Sequence, residues 1–222
     1  MQDLFTIEEL DRDGAIQEQV AEIAGDSRAN FLRKAAIGGG ALLGGSALAG
    51  VLPAIAGAAT PKSDVAILNF ALTLEELEAA FYTEATRKNR FQGKPRQFAQ
   101  VVGAHERAHV AFLRKALGGA AVKKPRFDFK GTTENSSKFL ATAKVLEETG
   151  VSAYLGQTPL IKSKGVLAAA GSILTVEARH AAWVRDILGG TGGNNPAPRA
   201  FDAPRSKAKI LAAVKGTGFI VG

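Results

Sequence analysis

The chain has 222 residues, 46% of them apolar, and a formal net charge of +7. Its length leaves room for one domain of ordinary size with a tail or targeting segment, and its Ala- and Leu-rich apolar content with little strand-type alternation favours an all-helical core over a sheet. It has no cysteine, which rules out a disulfide framework, a thiolate zinc site and a cysteine nucleophile.

Residues 1–26 are polar and acidic, and Ser27-Arg28-Ala29-Asn30-Phe31-Leu32-Arg33-Lys34 follows them. A Gly- and Ala-rich apolar run then extends to Ala59, with small residues at Ala54, Ala56, Ala58 and Ala59. A basic cluster, an apolar stretch and small residues, in that order, have the layout of an export signal. The basic segment resembles a twin-arginine motif whose second arginine is replaced by Ala29. Residues 1–59 are therefore expected to direct export to the periplasm or cell envelope, with a membrane anchor as the alternative, since 35–59 is long enough to cross a bilayer. Without them the chain carries 24 basic and 13 acidic residues, a net charge of +11. Such a surface suits association with cell-wall polyanions or lipid headgroups. No specific nucleic-acid motif is visible.

From residue 63 the pattern becomes helical. A first helix is predicted over 63–89, with Val65, Leu68, Leu72, Ala79 and Tyr82 at helical spacing and Ser63 as its N-cap. A second begins near Pro95 and stops at Gly118-Gly119. A third spans 136–157, and a fourth spans 163–188 and ends at Gly189-Gly190. Residues 191–222 form a C-terminal extension with a short helix over 206–215. Short links join the first helix to the second and the third to the fourth, so both pairs are expected to be antiparallel hairpins. The longer link over 119–135 can travel the length of a bundle. The predicted fold is all-α, with residues 60–190 forming an up-down-down-up four-helix bundle with one long crossover.

The chemistry lies in a repeat between the hairpins. The first helix carries Glu75, with Tyr82 two turns later; the third carries Glu147, with Tyr154 two turns later. The second helix carries Glu106-Arg107-Ala108-His109, and the fourth Glu177-Ala178-Arg179-His180. Glu-x-x-His spacing places both side chains on one face, one turn apart. Apolar neighbours flank all four glutamates, such as Leu68, Ala71 and Leu72 around Glu75, or Ile173, Leu174 and Val184 around Glu177. Burying an unpaired carboxylate costs several kcal/mol or forces its protonation. Two divalent cations would neutralise four converging carboxylates, so charge balance points to two metals rather than none. Glu78 is an alternative to Glu75, but only Glu75 keeps the repeat with the third helix. Glu76, Glu78 and Glu148 read as solvated or paired with nearby cations, and Arg179 and Arg185 as lying off the ligand face. Tyr82 and Tyr154 read as core aromatics whose hydroxyls bond a neighbour, or as groups that support the site or its redox chemistry.

This set resembles that of ferritin-like di-iron and di-manganese proteins, with one Glu from each of two helices and a Glu-x-x-His from each of the others. Over 62–190 the chain is most similar to the ferritin-like domain family that includes plant desiccation-related proteins. Leu68-Asn69-Phe70-Ala71-Leu72, the Ile173–Ala182 segment and the tail Phe201-Asp202-Ala203-Pro204 share that family's look. The resemblance implies that Glu75, Glu106, His109, Glu147, Glu177 and His180 bind two metal ions, iron first, with manganese or zinc as alternatives. It implies oxidation of ferrous iron, or reaction with oxygen or peroxide, by an oxidoreductase of ferroxidase or catalase type. A non-catalytic, stress-related envelope protein stabilised by its metals is the second reading, and assembly into a homo-oligomer or storage cage is compatible with both. A remote third reading takes His105-Glu106-Arg107-Ala108-His109 as the His-Glu-x-x-His helix of a zinc protease. Phe112 and Lys115 then stand where a metzincin has Gly and His. Within the bundle, His105 would be an extra histidine at the core edge or a support for a ligand.

Overall fold

The computed structural model describes residues 60–221. The segment assigned above to export or anchoring, 1–59, lies outside them. Among the described residues there are five α-helices and no β-strand: α1 (Lys62–Lys88), α2 (Gly93–Leu117), α3 (Ser136–Gln157), α4 (Lys164–Ile187) and α5 (Lys207–Thr217). None is long and apolar enough to cross a membrane.

The helix ends are set by local hydrogen bonding. The cap of α1 is Pro61 rather than Ser63: the Pro61 carbonyl accepts from the N–H groups of Asp64 and Val65, so the helix begins before the serine. Helix α2 begins at Gly93, two residues ahead of Pro95, which falls in the first turn where its missing N–H costs nothing. Asn135 caps α3 by accepting from Ser137 and Lys138, and Ser163 caps α4 by accepting from Val166. Each such cap contributes about 0.5–2 kcal/mol.

Side-chain pairings fix the directions. Tyr82 meets Glu147 while Tyr154 meets Glu75, so α1 and α3 run antiparallel. Glu75 meets His109 while Tyr82 packs on Gly103, and Glu147 meets His180 while Gly150 faces Glu177, which makes each hairpin antiparallel. His105 meets His180 and His109 approaches Glu177, so α2 and α4 are antiparallel too. The bundle is up-down-down-up, as the sequence predicts. The crossover runs along the outside of α1. Asn69 holds its beginning through Ala120 and Val122, Phe129 packs edge-on against Phe81 midway, and Lys88 holds its end through Thr133 and Glu134.

Two apolar layers fill the bundle. One holds Phe81, Phe98, Phe139 and Val184; the other holds Leu72, Phe112, Leu113 and Ile173. Full burial of each such side chain contributes about 1.5–3 kcal/mol. Along every helix the position of the repeat's glutamate sets it between these layers. At the second layer's end, the fully buried Asp64 accepts hydrogen bonds from the N–H groups of Lys162 and Ser163, tying the α3–α4 turn to the start of α1.

The C-terminal extension is part of this core. Arg205 N–H donates to Ser152 O at 3.0 Å, and an added Cβ at Gly156 would lie 1.9 Å from Arg205 O. Only glycine lets the backbone pass so close to α3. Helix α5 then buries Ile210 and Val214 in the Phe81 layer, and Phe219 packs edge-on against Phe129.

Candidate metal centre

Four glutamates, one from each bundle helix, meet at the centre with no solvent exposure: Glu75, Glu106, Glu147 and Glu177. They reach it because each occupies a position on the buried stripe that an apolar residue would otherwise fill. His109 Nδ1 lies 3.0 Å from Glu75 Oε2, 3.1 Å from Glu106 Oε2 and 3.3 Å from Glu177 Oε1. His180 Nδ1 lies 3.0 Å from Glu106 Oε1 and 3.1 Å from Glu147 Oε2.

These atoms form two overlapping groups. Glu75, Glu106, His109 and Glu177 converge on one point, and Glu106, Glu147, Glu177 and His180 on another, with donor atoms in each group within 4.8 Å of one another. All six sequence-predicted residues are thereby brought together. Glu106 and Glu177 belong to both groups. Each carboxylate has two oxygens, so each can serve both points.

The tyrosines cross between hairpins. The Tyr82 hydroxyl donates to Glu147 Oε1, and the Tyr154 hydroxyl donates to Glu75 Oε1 at 2.5 Å. Burial and the charge of the adjoining carboxylate push both phenols well above their usual pKa, which keeps them protonated as donors.

Electrostatics sets these groups against one another. Burial, then the charges of Glu106 and Glu75, pushes Glu177 well above the ordinary carboxylate range. Burial raises Glu106 to about 7, against the hydrogen bond from His109 and the close approach of His180, which pull it down. Burial also opposes ionisation of Glu75, but the His109 charge together with hydrogen bonds from His109 and Tyr154 overcomes it and holds Glu75 low. The imidazoles respond in kind. Burial disfavours their protonation, yet Glu75, Glu106 and Glu177 together lift His109 far above its ordinary value, and the nearby carboxylates of Glu106 and Glu147 lift His180 to about 10. Two imidazolium protons thus offset part of the negative charge.

That compensation is incomplete. Both oxygens of Glu177 and Oε1 of Glu106 are buried without a hydrogen-bond partner among the described residues. Glu106 Oε1 is 3.0 Å from His180 Nδ1 and Glu177 Oε1 is 3.3 Å from His109 Nδ1, but off the line of a hydrogen bond. Lone pairs of several carboxylates and two imidazole nitrogens aimed at shared points form a donor set for hard or borderline divalent cations. Gly150 supplies room for it: an added Cβ would sit 2.8 Å from Glu177 Oε2. The residues present fit two metal ions.

Other expectations need correction. Glu78 is neither solvated nor paired with a cation. It is 2% exposed, with Oε2 lacking a partner among the described residues. Glu75, Glu78 and Tyr82 stand at i, i+3 and i+7, one helical face, and that spacing already marked Glu78 as inward. Glu76 is buried as well, but its carboxylate is met by Arg114 and Lys124 as expected, and Glu148 pairs with Arg185. His105 belongs to neither convergent group; its Nδ1 lies 2.8 Å from His180 Nε2 and its ring stacks on His180 at 5.1 Å. His105 and His109 therefore address different partners, where a zinc-protease helix needs both on one ion.

A family model described as the ferritin-like domain matches residues 63–190, which take in all four bundle helices. No curated protein matches the chain.

Proposed function

The chain belongs to the ferritin-like domain family, and from that premise we propose that it holds two divalent metal ions, iron first, and reacts with ferrous iron, oxygen or peroxide. The carrying observation is the pair of overlapping donor groups that share Glu106 and Glu177. On this reading Glu106 and Glu177 would serve both positions, Glu75 with His109 would complete one, and Glu147 with His180 would complete the other. Bound there, such metals would supply one-electron redox and Lewis-acid chemistry.

The chain's own groups prepare that chemistry. Tyr82 and Tyr154 each occupy one oxygen of a terminal carboxylate, which fixes its rotation and leaves the other oxygen for a metal. His180 presents Nδ1 to the site, so its Nε2–H donates outward to His105 Nδ1. Burial and the neighbouring His180 lower the His105 pKa, which keeps it a neutral acceptor. The His109 side chain, 12% exposed, is the most accessible of the six convergent side chains, against 3% for His180 and 1% or less for Glu75, Glu106 and Glu177. The enclosed carboxylates otherwise exclude water.

The experiment is metal analysis of full-length protein made with ample iron and manganese, together with oxygen uptake on addition of ferrous iron. Two ions per chain and uptake faster than buffer support the reading; protein free of metal counts against it. Full burial of all four carboxylates also favours a second reading, in which the metals chiefly stabilise a non-catalytic envelope protein. Metal-dependent stabilisation without turnover selects that one. Export or anchoring by residues 1–59 is part of both proposals and is supported by the order of basic, apolar and small residues there.

A further inference from the structure

The two hairpins repeat each other closely. Glu75 and Tyr82 of α1 correspond to Glu147 and Tyr154 of α3, and Glu106 and His109 of α2 to Glu177 and His180 of α4. The repeat breaks at two positions beside the site. Glu78 corresponds to Gly150, and His105 corresponds to Val176.

Both departures fall on the same half. His105 backs His180, whereas its counterpart Val176 offers His109 no polar atom. Glu78, though it shares a helix with Glu75, faces the gap left by the missing side chain of Gly150. A Cβ at Gly150 would lie 2.8 Å from Glu177 Oε2 and 3.5 Å from Glu78 Oε1, so both carboxylates border that one space. Gly150 stands one turn beyond Glu147 on α3, so the space that Glu78 borders opens on the Glu147 half. Glu78 is 2% exposed and its Oε2 is unpartnered among the described residues. Four carboxylates already balance two divalent ions, and a fifth has nothing to neutralise it unless it too reaches a cation.

We propose that Glu78 is a further ligand for the metal position bounded by Glu147 and His180, and that it makes this position the tighter of the two. The inference rests on the di-metal reading above. Added ligand charge raises affinity for a divalent cation, and an imidazole held from behind, as His180 is by His105, binds more firmly. The Glu75–His109 position has neither aid.

Titration of metal-free, full-length protein with Co2+, followed by calorimetry and by visible absorption, tests the proposal. The wild type is expected to take up two ions in two unequal steps. In Glu78→Gln the tighter step should weaken by at least about tenfold, with the weaker step unchanged and the Co2+ absorption altered only in the first. Glu75→Gln should weaken the other step instead. Glu78→Gln keeps the side chain's shape and removes a buried acid that folding must force to stay protonated, so the metal-free variant should melt at or above the wild type. Two wild-type-like affinities in Glu78→Gln, equal losses at both steps, equal steps in the wild type, or a lower metal-free melting point would each overturn the proposal while leaving the di-metal reading intact. Failure of the wild type to bind Co2+ would overturn both.

Discussion

The Tyr154 hydroxyl lies 2.5 Å from Glu75 Oε1, a bond from the second hairpin to the first. Tyr82 returns it by donating to Glu147. Each hairpin therefore orients a carboxylate that belongs to the other, and neither half of the site is complete within one hairpin. Docking of the hairpins and assembly of the site are one event.

Tyr154→Phe removes a buried charge-assisted hydrogen bond and leaves Glu75 with one orienting partner fewer. The metal-free protein should lose about 1–3 kcal/mol, and affinity should fall by about 10–100-fold at the Glu75–His109 position alone. Tyr82→Phe should do the same at the Glu147–His180 position. Denaturant melts and metal titration of both variants check this.

Loss of a shared ligand should differ from loss of a terminal one. Glu75→Ala is expected to leave about one ion per chain, whereas Glu177→Ala should abolish tight binding of both, because Glu177 belongs to both donor groups. Metal analysis after gel filtration separates the two outcomes.

Stability of the metal-free protein should fall as pH rises. The folded state holds protons that the unfolded chain releases: Glu106 is raised from 4.5 to about 7 and His180 from 6.5 to about 10. A group raised in the folded state stabilises it below its unfolded pKa and loses that contribution through its folded pKa. The decline should therefore run from about pH 5 to 10. Glu75, held low, acts in the opposite sense and only at more acid pH. Metal ions compete with these protons, so a metal-loaded sample should show the reverse trend over neutral pH. Metal at 100 times its dissociation constant should add about 2.7 kcal/mol, or roughly 5–10 °C in Tm, and chelator should remove it.

Gly156→Ala should detach the C-terminal extension. Its Cβ would fall 1.9 Å from Arg205 O, a backbone atom that can yield only if the segment moves. A loss of about 1–3 kcal/mol is expected, with earlier proteolytic cleavage around residues 195–206, while the metal stoichiometry stays that of the wild type. Limited proteolysis with mass spectrometry reads it directly.

The four bundle helices and all six convergent residues were legible in the sequence because both are periodic. A helix repeats every 3.6 residues, so Glu106 and His109 share a face whatever surrounds them, and a repeated Glu–Tyr and Glu-x-x-His arrangement implies a repeated environment. The crossover was legible from length alone. The place of Glu78 was not, because whether an inward glutamate meets solvent, a cation or a gap depends on the helix opposite, and here that helix carries Gly150. Asp64 also gave no sign of its task, since the Lys162 and Ser163 N–H groups it holds lie about a hundred residues away along the chain.

By itself, then, the order of residues determined which faces turn inward and which donor types they carry, since side-chain spacing along a helix is a local property of the backbone. Tertiary structure alone decided that the tyrosines bond across hairpins, that the extension over 191–221 closes the Phe81 layer, and that Glu78 and His105 favour one half of the centre. Those outcomes rest on distances between segments remote in the chain, which only packing brings within reach of a hydrogen bond or a Coulomb field.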